Sequence, residues 1–577
     1  MRAARLCATA AVCALAMVAE AGAQSIGYGE LGEVGGADGP ATDAPTFDSA
    51  SGGKRPRGNR NGEGRGGRKL RVAPYIEANQ IVGVQISPGD EVLTYTQVAA
   101  GVDAAVVGRN NAAAASIRYE HHFGWGRNAG NGDSISGLIN GYTTIAPGLT
   151  LEAGGLATRA TGDGRGALGG IGPVRGGSAT IYSAYAGPSF ATRTGDLSVS
   201  ANYRAGYTKV DGAGRGGRRP VGAFVDTFDH SLVQIADAQV GTQPGAGGIP
   251  VGLAAAGSFY QEDISNLDQR VRDMQARGIV TVEVDPTLRL TGAVGYEDVT
   301  ISARDAVRDA AGAPVISGGR YVTDKSAPRL IAYDVEGLIW DAGVMWRPSR
   351  RTALNANIGR RYGSTSFRGS FYYAPNDRST LSLAVYDNVA GFGGRIARVL
   401  DDLPDDFQAV RDPVSGDLRG CVSSLEGSNC FSGVLGSLRS STFRARGVSA
   451  SYTVRLGRAL DAGIGLGYDR RKFIGARGTV LAGADGVVDE NLWLSTFVAG
   501  RLDRRSGWSA NGYAQWLASN DSLVGDSTRL GASASYYRLL TDRLRASAAI
   551  GLDGLLREAP FEDIWAASAL LGVRYSF

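Results

Sequence analysis

The sequence predicts an all-β fold, a closed transmembrane antiparallel β-barrel of about 22 strands, within a range of roughly 16 to 24. Three observations predict it. Apolar and polar residues alternate with a period of two from Leu70 to Phe577. The connections between these segments alternate between short and long, and the last segment ends at an aromatic residue. A signal peptide, residues 1–23, and a disordered tail, residues 24–69, are predicted to precede the barrel of residues 70–577.

The N-terminus has the three parts of a secretory signal peptide. Arg2 and Arg5 precede an apolar stretch at 6–18, and the small residues of 21–23 follow it. The apolar stretch is shorter than a membrane-spanning helix, so it predicts cleavage rather than permanent anchoring. We therefore expect the mature chain to be exported.

Residues 24–69 are predicted to form a disordered periplasmic tail. They have little apolar content, and residues 54–71 hold eight Lys and Arg side chains among Gly and Asn. Such a composition buries too little apolar surface to offset the entropy lost on folding. The positive charge favours weak attraction to anionic lipid or to cell-wall polymer, and nucleic acid is not an expected partner of an exported protein.

The composition suits a crowded sheet at a membrane boundary. The chain contains 85 Gly, 23 Tyr and 16 Phe but only 3 His, and its net charge is +4. No apolar run beyond residue 20 reaches the ~20 residues that a spanning helix needs. A helical membrane protein is therefore excluded, whereas Gly permits close packing of strands and Tyr favours the membrane–water interface.

The alternation of residue types is clearest in 196–208. One face there carries Leu197, Val199, Ala201, Tyr203, Ala205 and Tyr207. The other face carries Ser198, Ser200, Asn202, Arg204 and Thr208. The same division recurs in 148–158, 287–297, 460–469 and 544–553. Because successive side chains of a strand point to opposite faces, the charges are kept off the predicted lipid-facing side.

The connections between the segments alternate in length, as the periplasmic turns and outer loops of a barrel do. Short turns are predicted at 107–111, 147–148, 192–195, 285–286, 348–351, 374–378, 457–458, 503–506 and 541–542. Longer loops are predicted at 124–132, 159–176, 210–227, 302–331, 390–440, 474–486, 521–527 and 556–562. An even number of strands then places both termini in the periplasm. The alternation is weakest at 228–285, where the strand number is least constrained.

The C-terminal segment carries the most specific motif. Leu571, Val573, Tyr575 and Phe577 lie on one face of a final strand that ends at Phe577. This motif resembles the C-terminal signature of the bacterial outer-membrane β-barrel superfamily. The stretch from 72–77 through 207–209 is similar to large outer-membrane barrels of alphaproteobacteria. The resemblance implies an outer-membrane location, passage by way of periplasmic chaperones, and insertion by machinery that pairs with the terminal strand.

A barrel of this size has a wide lumen that something must narrow. The sequence shows no folded N-terminal domain of the kind that plugs large transporters. The best candidates for a constriction are the long loops 302–331 and 390–440. The second loop contains an amphipathic stretch at 395–410 and the acidic residues Asp401, Asp402, Asp405 and Asp406. The sequence leaves open whether this loop folds inward or lies on the cell surface.

Charged residues on the polar face are candidates for the lining of the pore. The candidate residues are Arg204, Arg289, Glu297, Arg361, Arg455, Asp461, Asp469, Arg545 and Arg574. Their mixed signs argue against strong ion selectivity, and most of them are expected to pair across strands and stiffen the wall. The favoured function is a porin-like channel for passive or gated passage of solutes. The alternative is a structural or surface-display barrel that associates with the envelope or with exopolysaccharide.

The sequence predicts neither an enzyme nor a cofactor site. The only candidate bases are His121, His122 and the neighbours Asp229 and His230, and adjacent residues in a strand point to opposite faces. Cys421 and Cys430 lie in a polar stretch without a nearby His. They are predicted to form one disulfide in an oxidising compartment rather than a metal site.

Overall fold

The computed structural model describes residues 69–126, 129–161, 178–211, 228–403, 411–416, 418, 421–423, 428–430, 442–457, 459–521, 525–558 and 562–577. The predicted signal peptide and residues 24–68 of the predicted tail lie outside these ranges. Within them, 22 strands form a single antiparallel sheet. The predicted fold class and strand number are therefore confirmed.

The strands of the barrel follow one another around the sheet in chain order. They are β1 Lys69–Ser87, β2 Val92–Val107, β3 Asn111–Trp125, β4 Gly132–Ala146, β5 Leu149–Thr161, β6 Ser178–Thr194, β7 Leu197–Asp211, β8 His230–Thr242, β9 Val251–Ile264, β10 Gln269–Asp285, β11 Leu288–Ala303, β14 Leu330–Ser349, β15 Thr352–Arg361, β16 Ser364–Asn376, β17 Ser379–Ala390, β20 Phe443–Leu456, β21 Leu460–Phe473, β22 Val488–Arg501, β23 Ser506–Ser519, β24 Ser527–Leu539, β25 Leu544–Arg557 and β26 Ile564–Ser576.

The remaining elements lie in the connections. Strands β12 Ile316–Ser317 and β13 Arg320–Tyr321 form one small hairpin, and β18 Cys421–Ser423 and β19 Ser428–Cys430 form another. Helix α1 is Phe392–Asp401. Three 3₁₀ turns span Ala246–Gly248, Asn266–Asp268 and Ala482–Ala484. Among the described residues, no helix combines the length and the apolar content that a membrane crossing requires.

The sheet closes through its first and last barrel strands. Strand β26 pairs with β1 in antiparallel register, with Ile76 opposite Tyr575 and Ile81 opposite Leu570. Closure removes both free edges, so no row of unpaired backbone groups is left along the membrane-spanning wall.

The two faces of the strands divide as the alternation predicts. In β7, Tyr203 and Tyr207 are exposed on the outer surface, whereas Arg204 and Thr208 are buried inside the barrel. In β26, Leu571 is 68 % exposed on the outer surface while Leu570 beside it is buried. An apolar outer surface on a closed barrel is the arrangement that a bilayer requires.

The connections also follow the predicted rhythm, with exceptions at both ends. Most turns at the end that carries both termini are short, as at Gly148 and at 540–543, but 243–250 between β8 and β9 has eight residues. At the opposite end, 304–329 and 391–442 are the longest connections. The connections 88–91, 265–268 and 362–363 at this end are short, and the predicted short-long alternation is wrong there. The short hairpin of β15 and β16 leaves a low point in the rim.

The weak alternation of 228–285 has a physical explanation. This stretch forms β8, β9 and β10, and their inward side chains Val233, Tyr260 and Val271 are buried in one apolar cluster with Ala397 of α1. Both faces of these strands are therefore partly apolar because the inner face packs against a helix instead of facing water.

Removal of the C-terminal aromatic residue tests the insertion signal. Deletion of Phe577, which packs edge-on against Tyr575 with ring centroids 5.2 Å apart, is expected to lower the yield of folded barrel in membranes several-fold. The resemblance implies that the insertion machinery reads this residue, whereas the purified variant should still refold in detergent. The measurement is the fraction with heat-modifiable migration on a gel. Equal yields of both proteins in membranes would contradict the prediction.

Candidate functional site: an inward segment in the lumen

The candidate site is the part of the β17–β20 connection that enters the barrel. Residues 391–403 contain α1, and a second stretch, 411–416 with Leu418, follows. We call these two stretches the inward segment. Phe392, Ile396 and Leu400 recur at four-residue intervals and thus form one apolar face of the helix. A helix of 10 residues is about 15 Å long, so α1 crosses a substantial part of the lumen.

The N-terminus of α1 rests on a buried carboxylate. Gly391, the N-cap residue, has no side chain to accept a hydrogen bond, and its backbone N–H donates instead to Oε2 of Glu262 at 2.7 Å. The hydroxyl of Tyr260 donates to the same oxygen at 2.6 Å. A carboxylate at this position satisfies a free N–H group and interacts favourably with the helix dipole.

Glycine is required where α1 meets the wall. A Cβ atom on Gly393 would overlap the hydroxyl of Ser231, and one on Gly394 would overlap the hydroxyl of Tyr260. The helix backbone therefore approaches β8 and β9 more closely than any side chain would permit.

The apolar face of α1 packs against the inner wall. Phe392, Ile396, Leu400 and Leu403 are at most 5 % exposed and form one cluster with residues of β3 to β9 and the β7–β8 connection. The wall residues of this cluster are Ala114, Leu138, Leu156, Ala179, Ile181, Tyr185, Val210, Phe228 and Ile264. Burial of each large apolar side chain contributes about 1.5–3 kcal/mol. These apolar contacts hold the helix against the inner wall of the barrel.

Polar contacts hold α1 at both ends. Near its start, Arg395 donates to Oδ1 of Asp469 at 2.9 Å and to the hydroxyl of Tyr386 at 2.8 Å. At its end, Nε of Arg204 donates to Oδ1 of Asp401 at 2.8 Å. Arg395 reaches β17 and β21, whereas Asp401 reaches β7, so the helix bridges separate parts of the wall.

The second stretch, 411–416 with Leu418, lies against the first strands of the barrel. Arg411 donates to the hydroxyl of Ser136 at 2.7 Å and to the backbone oxygen of Ser116 at 3.0 Å. Val414 is buried in a cluster with Ile81, Tyr95, Ala549 and Leu570 of β1, β2, β25 and β26. This stretch therefore covers the seam where the barrel closes.

Paired charges fill the space beneath this stretch. Arg118 forms an ion pair with Glu77 and a second with Glu120 at 3.1 Å. Arg159 reaches Glu120 at 2.8 Å and also donates to the backbone oxygen of Ser415 at 3.3 Å. Because Arg118 and Glu120 are almost fully buried, removal of either partner would leave an uncompensated charge. The network connects the wall to the inward segment.

The predicted pore residues lie on the inner face, and the structure gives most of them a partner. Arg204 and Asp469 contact the inward segment, as described above. The other ion pairs are Arg361 with Asp273 at 2.7 Å and Glu297 at 3.3 Å, Arg455 with Asp461 at 3.1 Å, Arg289 with Glu283 at 3.5 Å, and Arg574 with Asp103 at 3.1 Å. Arg545 lies over the ring of Tyr537 at 5.2 Å. Control of passage by these residues stays a prediction.

One arc of the inner wall, which we call the neutral arc, carries mainly uncharged polar side chains instead of paired charges. It consists of Ser509, Asn511, Tyr513, Gln515, Ser533 and Ser535 on the inner face of β23 and β24. All six keep part of their surface exposed. Tyr513 lies across the glycine at 531 and donates to Asp553 at 2.8 Å. The neutral arc thus presents hydroxyl, amide and aromatic groups, and the charge that borders it is Arg529, on the same face of β24 opposite Gln515.

The two loops proposed as constrictions differ in placement. The connection 304–329 joins the rim: Arg320 pairs with Asp229 at 2.7 Å, and Asp305 accepts the backbone N–H of Val480 at 2.9 Å. In the connection 391–442, the described residues 391–403, with α1, lie in the lumen. Its acidic residues Asp405 and Asp406 lie outside the described residues.

Sequence reasoning missed Glu262, Arg395 and Arg411, which make the main contacts of the inward segment. The run Gly391 to Gly394 was the available signal, because glycines before an amphipathic stretch permit close approach of a backbone. The candidate bases His121 and His122 lie on opposite faces of β3, with His121 bonded to Asp133 at 2.6 Å and His122 buried. In the described ranges, no group of three His, Cys, Asp or Glu side chains is arranged to hold a metal ion.

The predicted disulfide remains open to test. The backbone of Cys421 pairs opposite that of Cys430 in the β18–β19 hairpin. Opposed residues of antiparallel strands have Cα atoms about 4.5–5.5 Å apart, which a disulfide can bridge. Cleavage of the predicted signal peptide would remove Cys7 and Cys13 and leave Cys421 and Cys430 in the mature chain. We expect no alkylation of the unfolded mature protein until a reductant is added, with two labels per chain afterwards, as measured by mass spectrometry. Labelling without reductant would contradict this prediction.

The closed barrel and its apolar outer surface define a transmembrane β-barrel protein, and a segment of its own chain lies in the lumen. No family model and no curated protein matches the sequence. Among solved structures, the chain is similar to the FrpB iron transporter from Neisseria meningitidis, with 11 % identity over 88 % of this chain and 82 % of that one, and a TM-score of 0.41.

Two further solved structures are similar to the chain. The ferric-catecholate import receptor Fiu from E. coli has 10 % identity over 87 % of this chain and 81 % of its own, with a TM-score of 0.41. The alcaligin outer-membrane receptor FauA from Bordetella pertussis has 12 % identity over 87 % and 76 %, with a TM-score of 0.36.

Proposed function

We propose that the protein is a gated channel for small hydrophilic solutes, with the stretches 391–403 and 411–416 and Leu418 as its gate. The observation that carries this proposal is the placement of α1 inside the lumen. The helix is held there by side-chain contacts at both ends and by one apolar face, and each of these contacts is non-covalent. Such a segment can leave the wall without unfolding the barrel.

The polar inner surface supports the same proposal. A barrel that served only to display loops would have no need of a partly exposed neutral arc on its inner wall. Hydroxyl and amide groups there can replace the hydration of a passing solute. The mixed and mostly paired charges elsewhere leave little net charge to select one ion sign.

Conductance in planar bilayers tests the proposal. The intact protein is expected to show low conductance with brief openings, because α1 occupies the lumen. Replacement of 392–418 by a flexible Gly/Ser linker should give large and steady conductance. Heat-modifiable migration must show that this variant is still a folded barrel. Folded protein that conducts in neither form would reject the channel and favour the surface-display alternative.

A further inference from the structure

The outer surface of β20 and β21 carries three exposed cations near the outer rim. Arg446 and Arg470 are each 42 % exposed, and Lys472 is exposed as well. All three alternate with buried inward residues such as Ala445 and Asp469, so they point away from the lumen. We call these three residues the cation patch.

The cation patch lies just beyond the apolar band. Outward residues of β21 run from Leu460 through Ile464 and Leu466 to Tyr468. At ~3.3 Å per residue and a strand tilt of about 40°, this stretch rises about 20 Å along the membrane normal, which is most of the ~25 Å apolar height of outer-membrane barrels. Tyr468 ends the band, and Arg470 follows two residues later on the same face. Because Tyr marks the membrane–water interface, the patch is at the level of the outer-leaflet headgroups.

The register brings like charges together in the patch and beside it. Arg446 lies opposite Arg470. Arg444, which borders the patch, lies opposite Lys472, two residues further along each strand. Like charges directly opposite each other destabilise a sheet. Arg444 is neutralised by Asp387, with distances of 2.8 and 2.7 Å to the two carboxylate oxygens.

Carboxylates compensate only part of the remaining charge. Arg470 pairs with Glu490 at 3.2 Å, and both side chains are more than two-fifths exposed. Arg446 shares Asp387 at 3.2 Å and donates to the hydroxyl of Ser364 at 2.8 Å. The positive charges are those of Arg444, Arg446, Arg470 and Lys472, and the negative charges are those of Asp387 and Glu490. The local excess is therefore two positive charges at the membrane surface.

We propose that the cation patch binds the phosphate group of a phosphorylated lipid in the outer leaflet. A guanidinium group forms paired hydrogen bonds with phosphate oxygens, and two such groups side by side with an ammonium group match a doubly charged anion. A phosphate between the strands would also offset the repulsion between Arg446 and Arg470. The inference is independent of whether the lumen conducts solutes.

Native mass spectrometry of the full chain in neutral detergent tests this site. The probes are lipid A, which carries phosphate groups, and the same lipid after dephosphorylation. Wild-type protein is expected to bind lipid A about tenfold more tightly than the variant Arg446→Gln, Arg470→Gln, Lys472→Gln. Dephosphorylated lipid should bind weakly to both. The single variant Lys472→Gln, at a fully outward position, should give an intermediate loss and guards against misfolding of the triple variant.

A matched control removes the same charge elsewhere on the outer surface. Arg272, Arg504 and Arg538 are exposed and lie away from β20 and β21, in β10, the β22–β23 connection and β24, so their replacement by Gln should leave binding of lipid A unchanged. Equal losses in the control and the patch variant would show attraction by net charge alone. Tight binding by the patch variant, or by the dephosphorylated lipid, would also overturn the proposal.

Discussion

Replacement of Gly394 by leucine is expected to release α1 from the wall and to raise the conductance of the barrel several-fold. A Cβ atom at this position would overlap the hydroxyl of Tyr260 and lie 2.6 Å from Oε2 of Glu262. Both side chains belong to β9, which is hydrogen-bonded on both sides within the closed sheet. Tyr260 and Glu262 are both buried beneath the helix and have little room to turn aside, so we expect the helix to move.

Displacement of the helix also removes its apolar contacts. Phe392, Ile396 and Leu400 would each lose about 1.5–3 kcal/mol of stabilisation from burial. A helix that is shifted partly off the wall therefore has few apolar contacts left to hold it in the lumen. The measurements are single-channel conductance and cleavage of the segment by a protease added from outside. We expect larger conductance and new cleavage together.

Gly483 provides the control for this substitution. It lies in the connection between β21 and β22, and a Cβ atom there would meet nothing within 4 Å. Gly483→Leu should behave as the wild type in both assays. A Gly394→Leu barrel that is folded and yet has unchanged conductance and protease resistance would show that α1 is not the obstruction.

The barrel itself could be predicted because its signal is local. Whether Tyr203 or Arg204 points outward depends only on the alternation within one strand and on the preference of lipid for apolar groups. Closure follows from the same pattern repeated to Phe577, because unpaired strand edges are not tolerated in a bilayer. No knowledge of distant contacts is needed for these conclusions.

The position of the inward segment depended on distant contacts and could not be predicted. Glu262 and Gly391 are 129 residues apart, and nothing in either neighbourhood indicates the other. The amphipathic character of 395–410 predicted a helix with one apolar face but not the surface that covers it. Most of that surface is the inner wall of β3 to β7. A smaller part is the apolar inner face of β8 to β10, which packs against Ala397 and weakened the alternation there. Only this smaller contact was visible in the sequence, as an irregularity.

Negative charge introduced into the neutral arc is expected to make the open channel cation-selective. Asn511 and Ser535 lie on the inner face of β23 and β24 and are partly exposed. In the variant Asn511→Asp, Ser535→Asp, two carboxylates would attract cations along this side of the lumen. We expect weak selectivity without them, because the native charges have mixed signs and most are paired.

The reversal potential across a tenfold KCl gradient measures this change. It should move from near zero toward the limit of about 59 mV for a monovalent ion. The shift should shrink as the salt concentration rises, because exposed charges are screened within about 10 Å at 0.1 M salt. The measurement is best made on the form that lacks 392–418, so that the gate does not limit the current.

The variant Asn511→Gln, Ser535→Thr alters the same positions without adding charge and should keep the native reversal potential. If the aspartate variant conducts with an unchanged reversal potential, the ions do not pass the neutral arc, and their path follows another part of the inner wall. Absence of current in every variant would have a different meaning, since it would reject the channel itself and not only the route through it.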